Sequence, residues 1–225
     1  MSWIKRALGL APPKPSAATA PLNGAALLAP FGLATGRMLD LDDSLKLLLD
    51  GHSELVVPNE EVVWSVGHVD LGQSIRLVRF YFEDEDYWMQ VMMDGPAAED
   101  VQDVILFGYS SVVTINSESE LKRLVGPESK IGLPVYEHDG WEYERQWGTE
   151  QGQTELTPMT EHVANPDGSY RIEHLSMLYA RDTGLIERRE FLLLSVEEDE
   201  RAWSRSQPRL ASRCNPLISP SSKRK

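Results

Sequence analysis

Five histidines, one cysteine and 35 Asp/Glu are the side chains in this 225-residue sequence whose types suit acid–base or metal chemistry. His68 and Asp70 stand two apart in a run of period two. Their side chains therefore share one strand face and could pair a carboxylate with an imidazole. No His-x-x-x-His or Cys-x-x-Cys spacing accompanies them, so further ligands would have to come from distant elements. Glu161-His162 and Glu173-His174 each set a carboxylate beside an imidazole, but adjacent strand residues point to opposite faces. His162 and His174 would meet if their strands pair across the Pro166-to-Gly168 turn, giving half of a metal site. The candidate ligands are thus His68, Asp70, His162 and His174. The competing expectation is ordinary cross-strand packing of polar side chains.

Other chemistry is sparse. Trp141-Glu142-Tyr143-Glu144-Arg145-Gln146-Trp147-Gly148 places Trp141, Tyr143, Arg145 and Trp147 on one face. Arg145 could make cation–π contacts there, on a ligand-stacking surface or on a sheet face that covers the core. No Gly-x-Ser-x-Gly elbow, phosphate loop or dinucleotide-binding turn occurs. Cys214, the only cysteine, lies in a polar tail that suits a catalytic thiol poorly. The acidic turn 83–86 lacks the alternating oxygen ligands of a calcium loop. No catalytic residue and no cofactor are expected, and the sequence leans away from an enzyme.

The elements that must position these residues are mostly strands. Val62–Asp70, Ser74–Phe82 and Tyr87–Met93, separated by short Gly/Asp turns, predict an antiparallel meander. Within the second run Ile75, Leu77, Arg79 and Tyr81 share a face. A strand follows over Val104–Ile115, bent at Gly108. Ser117-Glu118-Ser119-Glu120 is a capping box that opens a helix ending at Gly126-Pro127. Asp139-Gly140 predicts a two-residue hairpin between Leu133–His138 and Trp141–Trp147. Further strands are expected near Leu156–Val163, Tyr170–Arg181 and Ile186–Val196, then a short helix from Glu197 to Arg201. An earlier helix, Leu41–Leu49, is favoured by Asp42 and Asp43 at its start and Gly51 at its end. The fold class is α+β: predominantly antiparallel sheet in two consecutive units, 54–115 and 131–197, with two or three peripheral helices. The expected organisation is a flexible segment with a Pro-rich linker over 1–21, one body over 22–205, and a disordered basic tail over 206–225.

Charge sets the choice of partner. Residues 47–200 hold ten Lys/Arg against 32 Asp/Glu, whereas 201–225 hold seven Lys/Arg and no acid. The formal charge of −13 argues against nucleic acid, whose backbone such a body repels. The same field favours basic segments, polyamines or other cations, and the basic tail could fold back on the body. One cysteine forms no disulfide framework within a chain, and no apolar run is long enough to span a bilayer. A cytoplasmic protein is expected. Trp3, Ile4 and Leu8 fall on one side of a helical wheel with Lys5 and Arg6 opposite. That short segment could touch the inner membrane peripherally or dock on a protein; a frayed terminus is the alternative.

Four stretches together resemble the YjfK family of bacterial proteins, a family of unknown function. They are Trp64–Gly72, Asp139–Gly148, Met177–Arg181 and Arg189–Asp199, within a resemblance covering about residues 35–200. It implies no activity and no site residues. Members of that family are similar in lying near genes for a PspA-like membrane-stress protein and a glutathionylspermidine synthase-like enzyme, which implies an envelope-stress or polyamine setting. The expectation drawn from all this is a non-catalytic acidic interaction module with an unknown protein partner. Its alternatives are a metal-dependent enzyme or metal-binding protein using the strand histidines, and a polyamine binder.

Overall fold

A computed structural model describes residues 29–149, 151–186, 188–199 and 209–216. The N-terminal segment, its linker and the candidate interaction residues Trp3, Ile4, Lys5, Arg6 and Leu8 lie outside them. The elements run β1 (Met38–Asp40), α1 (Asp43–Leu49), β2 (Glu60–Gly72), β3 (Ile75–Phe82), β4 (Tyr87–Asp94) and β5 (Val101–Thr114). There follow α2 (Glu118–Val125), β6 (Val135–His138), β7 (Trp141–Arg145), β8 (Thr157–Asn165), β9 (Gly168–Asp182), β10 (Arg189–Asp199) and β11 (Arg209–Pro216).

Every described pairing is antiparallel, and eight of the strands close on themselves. β2 pairs β3, β3 pairs β4, β4 pairs β5, and β5 pairs β11. β11 pairs β10, β10 pairs β9, β9 pairs β8, and β8 returns to β2. A ring leaves no free edge along its length and encloses an interior that side chains must fill. The stretches 54–115 and 131–197 do not make separate sheets: β2 from the first pairs β8 from the second. A register shift between Val63 and Ser65 lets β2 turn Val63 toward the outer core and Ser65, Gly67 and Val69 inward.

Three apolar layers follow from this alternation. Inside the ring, Trp88, Ile105, Phe107, Ala180, Phe191 and Leu193 pack together. Tyr81, Trp88 and Phe107 are successive register partners on β3, β4 and β5, so their rings stack at 5.6 and 4.1 Å. Outside β3–β5, Val78, Phe80, Phe82 and Val91 meet Leu33 and Leu49 from the segment that includes α1. Outside β9–β10, Met177, Tyr179, Leu192 and Leu194 meet Ile131, Tyr143 and Leu156.

Local signals in the sequence set several boundaries. Asp42 caps α1 by accepting from the Ser44 N–H at 2.8 Å. Ser117 Oγ accepts from Glu120 N–H at 3.2 Å, while the Glu120 carboxylate accepts from Asn116 N–H at 2.9 Å. The second bond reaches one residue further back than the capping-box expectation. Asp139 and Gly140, at φ 50° and 82°, join β6 to β7 with His138 opposite Trp141.

Two expectations are corrected. Glu197–Asp199 continues β10 instead of starting a helix, because His174, Glu173 and Ile172 of β9 offer register partners that far. Arg209–Pro216, expected within a disordered tail, is strand β11, held by backbone pairing on both sides.

Candidate functional site

The densest convergence of ionisable groups lies inside the ring. β3 presents Arg79 and Tyr81 inward, β8 presents Glu161, β9 presents His174 and Ser176, and β10 presents Ser195. Arg79 Nη1 donates to Glu161 Oε2 at 2.7 Å, and Arg79 Nε donates to Gln90 Oε1 at 3.0 Å. The Tyr81 hydroxyl donates to the Glu161 carboxylate at 2.9 Å. His174 Nε2 lies 2.8 Å from Glu161 Oε2, and its Nδ1 lies 3.3 Å from Ser195 Oγ and 3.5 Å from Glu197 Oε1. Ser195 and Ser176 hydroxyls are 2.8 Å apart. The Arg79 guanidinium also sits 5.0 Å from the Trp88 ring centre, a cation–π distance. Glu161 is 0 %, Arg79 1 % and His174 2 % exposed.

Gly67 on β2 makes room for the carboxylate. A Cβ at that position would collide with Glu161 Oε1 and Cδ. The glycine is thus needed for close approach, not for an unusual backbone angle.

Charge in this interior is balanced. Burial would raise the Glu161 pKa, but the Arg79 charge and hydrogen bonds from His174 and Tyr81 pull it down to about 2. Burial would likewise lower that of His174. Its hydrogen bonds to Glu161 and Glu197 outweigh this and raise it. The two carboxylates beside His174 thus favour its protonated form, and Arg79 stays charged beside Glu161.

Glu161, His174 and Ser195 stand in the order of an acid–imidazole–hydroxyl relay. A relay needs a neutral imidazole with a lone pair for the hydroxyl proton. The upward shift of the His174 pKa works against that role, and Ser195 is only 1 % exposed, away from any substrate in solvent. The arrangement links β3, β8, β9 and β10 across the interior.

The sequence candidates separate. His162 is the register partner of Arg171, and His174 that of Met159, so the two histidines occupy opposite faces. His174 enters the interior with Glu161. His162 faces outward, directly across from His68 of β2. His68 Nδ1 is buried with no hydrogen-bond partner, and burial followed by the nearby Arg76 charge lowers its pKa. Asp70 is exposed and accepts from Gly72 N–H at 2.8 Å. Among the described residues, no group of three or more His, Cys, Asp or Glu is placed to hold a metal ion.

The aromatic hairpin has a different cation from the expected one. Arg181 of β9 lies 4.1 Å from the Trp141 ring centre and 5.8 Å from that of Tyr143. Arg145 donates to the carbonyl oxygens of Gly132 and Gly152. Arg181 Nε also donates to Glu190 Oε2 at 2.5 Å. Glu190 is fully buried and accepts from Ser53 Oγ, Glu54 N–H and the Tyr143 hydroxyl. Glu190 thereby ties both outer coverings to β9 and β10.

Sequence reading missed both networks because it paired neighbours along the chain. The β8–β9 turn held the missing information. With Asn165 opposite Gly168, His174 must fall opposite Met159 and diagonal to Glu161.

A ring-shaped antiparallel sheet with a satisfied ionic interior defines a class of small β-rich protein, and the sequence places this chain within a family. It belongs to the proteins of unknown function designated DUF2491, matched over residues 3–210. It is also similar to the Uncharacterized protein YjfK of Escherichia coli (strain K12), 27 % identical over 176 residues, covering 75 % of this chain and 78 % of that protein. No solved structure matches it.

Proposed function

We propose that this protein is a non-catalytic binding module that presents an acidic surface to a cationic partner. One observation carries the reading. Most of the few cations in the body are turned inward or tied to their own chain, so its carboxylates face solvent largely uncompensated. The acidic rim at the β3–β4 turn is the clearest case: Glu60, Glu83, Asp84, Glu85 and Asp86 are all exposed. Burial, together with the charges of Asp84 and Asp86, pushes Glu61 beside them up to about 7. Such crowding of like charge is costly in isolation and is relieved by a cation.

The test uses a lysine-rich peptide and the full-length protein. Anisotropy titrations should show binding that weakens steeply with salt. Replacing Glu83, Asp84, Glu85 and Asp86 by their amides should weaken it about tenfold. Removing four carboxylates elsewhere should weaken it far less. Equal losses from both variants would contradict a localised site. Displacement of the peptide by spermidine at similar concentration would identify polyamines as the partner class.

In the cytoplasmic location that the composition suggests and the envelope-stress setting that the resemblance implies, membrane contact falls to residues 1–12. Deleting them should move the protein out of the membrane fraction, and unchanged fractionation refutes that part.

A second reading rests on the outward His68–His162 pair. A neutral imidazole with a buried, unpartnered nitrogen opposite a second imidazole suits a borderline divalent cation. Zinc titration should then give one equivalent bound, lost in both His68→Ala and His162→Ala.

A further inference from the structure

Between α2, the loop after it, β6 and the outer face of β10 lies a cavity of about 330 Å³, bordered by Arg123, Lys130, Tyr136, His138, Ile131 and Leu194. Its size falls at the lower end for small-molecule sites. Its charge runs against the rest of the body.

Of the ten Lys/Arg between residues 47 and 200, eight are engaged within the described chain. Arg76 and Arg145 bind carbonyls, while Arg79, Lys122, Arg171 and Arg181 pair with carboxylates. Arg189 reaches the Gln146 side chain, and Arg188 has its own contacts. Arg123 and Lys130 remain. Neither side chain makes a hydrogen bond or ion pair with the described residues, and both border the same cavity. One carboxylate, Glu128, stands at the wall and offsets only part of this charge.

The floor is apolar. Ile131 and Leu194 are both buried in the core beneath, and the Tyr136 ring is fixed on Tyr179 at 5.4 Å between ring centres. Ser129 holds the loop in shape: its hydroxyl bonds the Leu124 carbonyl and accepts from Ile131 N–H.

We infer that this cavity binds a small organic anion, with a carboxylate or phosphate head on Arg123 and Lys130 and an apolar body on Ile131 and Leu194. Arg123 and Lys130 border the same cavity without an ion-pair partner among the described residues, in a body otherwise rich in carboxylates. Leaving them free over an apolar floor provides charge and shape for an amphipathic anion.

The probe is phenyl phosphate, titrated into isotope-labelled full-length protein and followed by amide chemical shifts. Saturable shifts are expected at Ser129, Lys130, Ile131 and Tyr136. Arg123→Gln and Lys130→Gln should each weaken binding about tenfold and leave the melting temperature unchanged, since both side chains are exposed and unpartnered. Phenyltrimethylammonium, with the same ring and opposite charge, should not shift these amides. The proposal is overturned if phenyl phosphate gives no saturable shift there, if the cation binds equally, or if both variants bind as the wild type does. Inorganic phosphate binding as tightly as phenyl phosphate would overturn the assignment of the apolar floor.

Discussion

Glu161 and Glu61 show how position alone separates two carboxyls of one type. Glu161 is surrounded by Arg79, His174 and Tyr81, and its pKa falls to about 2. Glu61 meets burial and then like charge, and its pKa rises to about 7. The consequences for stability have opposite signs. Glu161 contributes stability above its ordinary 4.5, and this is lost as pH falls from there toward 2. Glu61 binds its proton more tightly when folded, so its contribution is complete below 4.5 and lost as pH rises to about 7. His174, raised above its ordinary 6.5, likewise loses its contribution as pH climbs through its folded value. Urea unfolding at pH 5 and pH 8 separates these groups. Glu61→Gln should reduce the drop in stability between the two, and an unchanged drop would show that Glu61 is not the group responsible.

At the scale of elements, the strands do the positioning, and one glycine governs the tightest approach. Gly67→Ala would force its methyl into the Glu161 carboxylate. It should destabilise the fold by roughly 2–4 kcal/mol, in the range of overpacking joined to a disturbed buried ion pair. Pairing it with Glu161→Asp, which withdraws the carboxylate by one methylene, should recover part of that loss; no recovery would mean the strain lies elsewhere.

Much of this level was legible in the sequence. Alternation in Ser74–Phe82 put Leu77, Arg79 and Tyr81 on one face, which is the interior face. Asp139-Gly140 marked its hairpin, and Ser117 with Glu120 marked the start of α2. The partner of each strand was not legible. Period-two patterning says which residues share a face, not which strand lies beside it. The return of β8 onto β2 therefore had no local signal, nor did the union of Arg79 with Glu161, 82 positions apart. Arg209–Pro216 was missed for a related reason: with few strong strand formers, its structure depends on β5 and β10 offering backbone groups on either side.

For the molecule as a whole, closure of the ring depends on that last strand. β5 and β10 do not pair with each other; β11 lies between them. Removing residues 206–225 should leave both with an unpaired edge. Hydrogen exchange should then accelerate at Val112, Val113, Leu193 and Leu194 more than at Val78 and Val91 of β3 and β4. Uniform acceleration, or none, would show that β11 does not close the ring. With the interior filled by paired charges and stacked rings, the surface is left to make contact with other molecules. The proposed acidic docking surface and the proposed anion cavity would then put different binding chemistries on one scaffold.

The ionisable groups converging inside the ring tie β3, β8, β9 and β10 together. A double-mutant cycle on Arg79 and Glu161, read by urea unfolding at neutral pH, measures whether that tie serves stability. Arg79→Met and Glu161→Leu should each cost about 3–5 kcal/mol by stranding a buried charge, and the double variant should regain most of that loss. Single variants as stable as the wild type, or more stable, would instead mark these groups as kept for chemistry at the expense of stability.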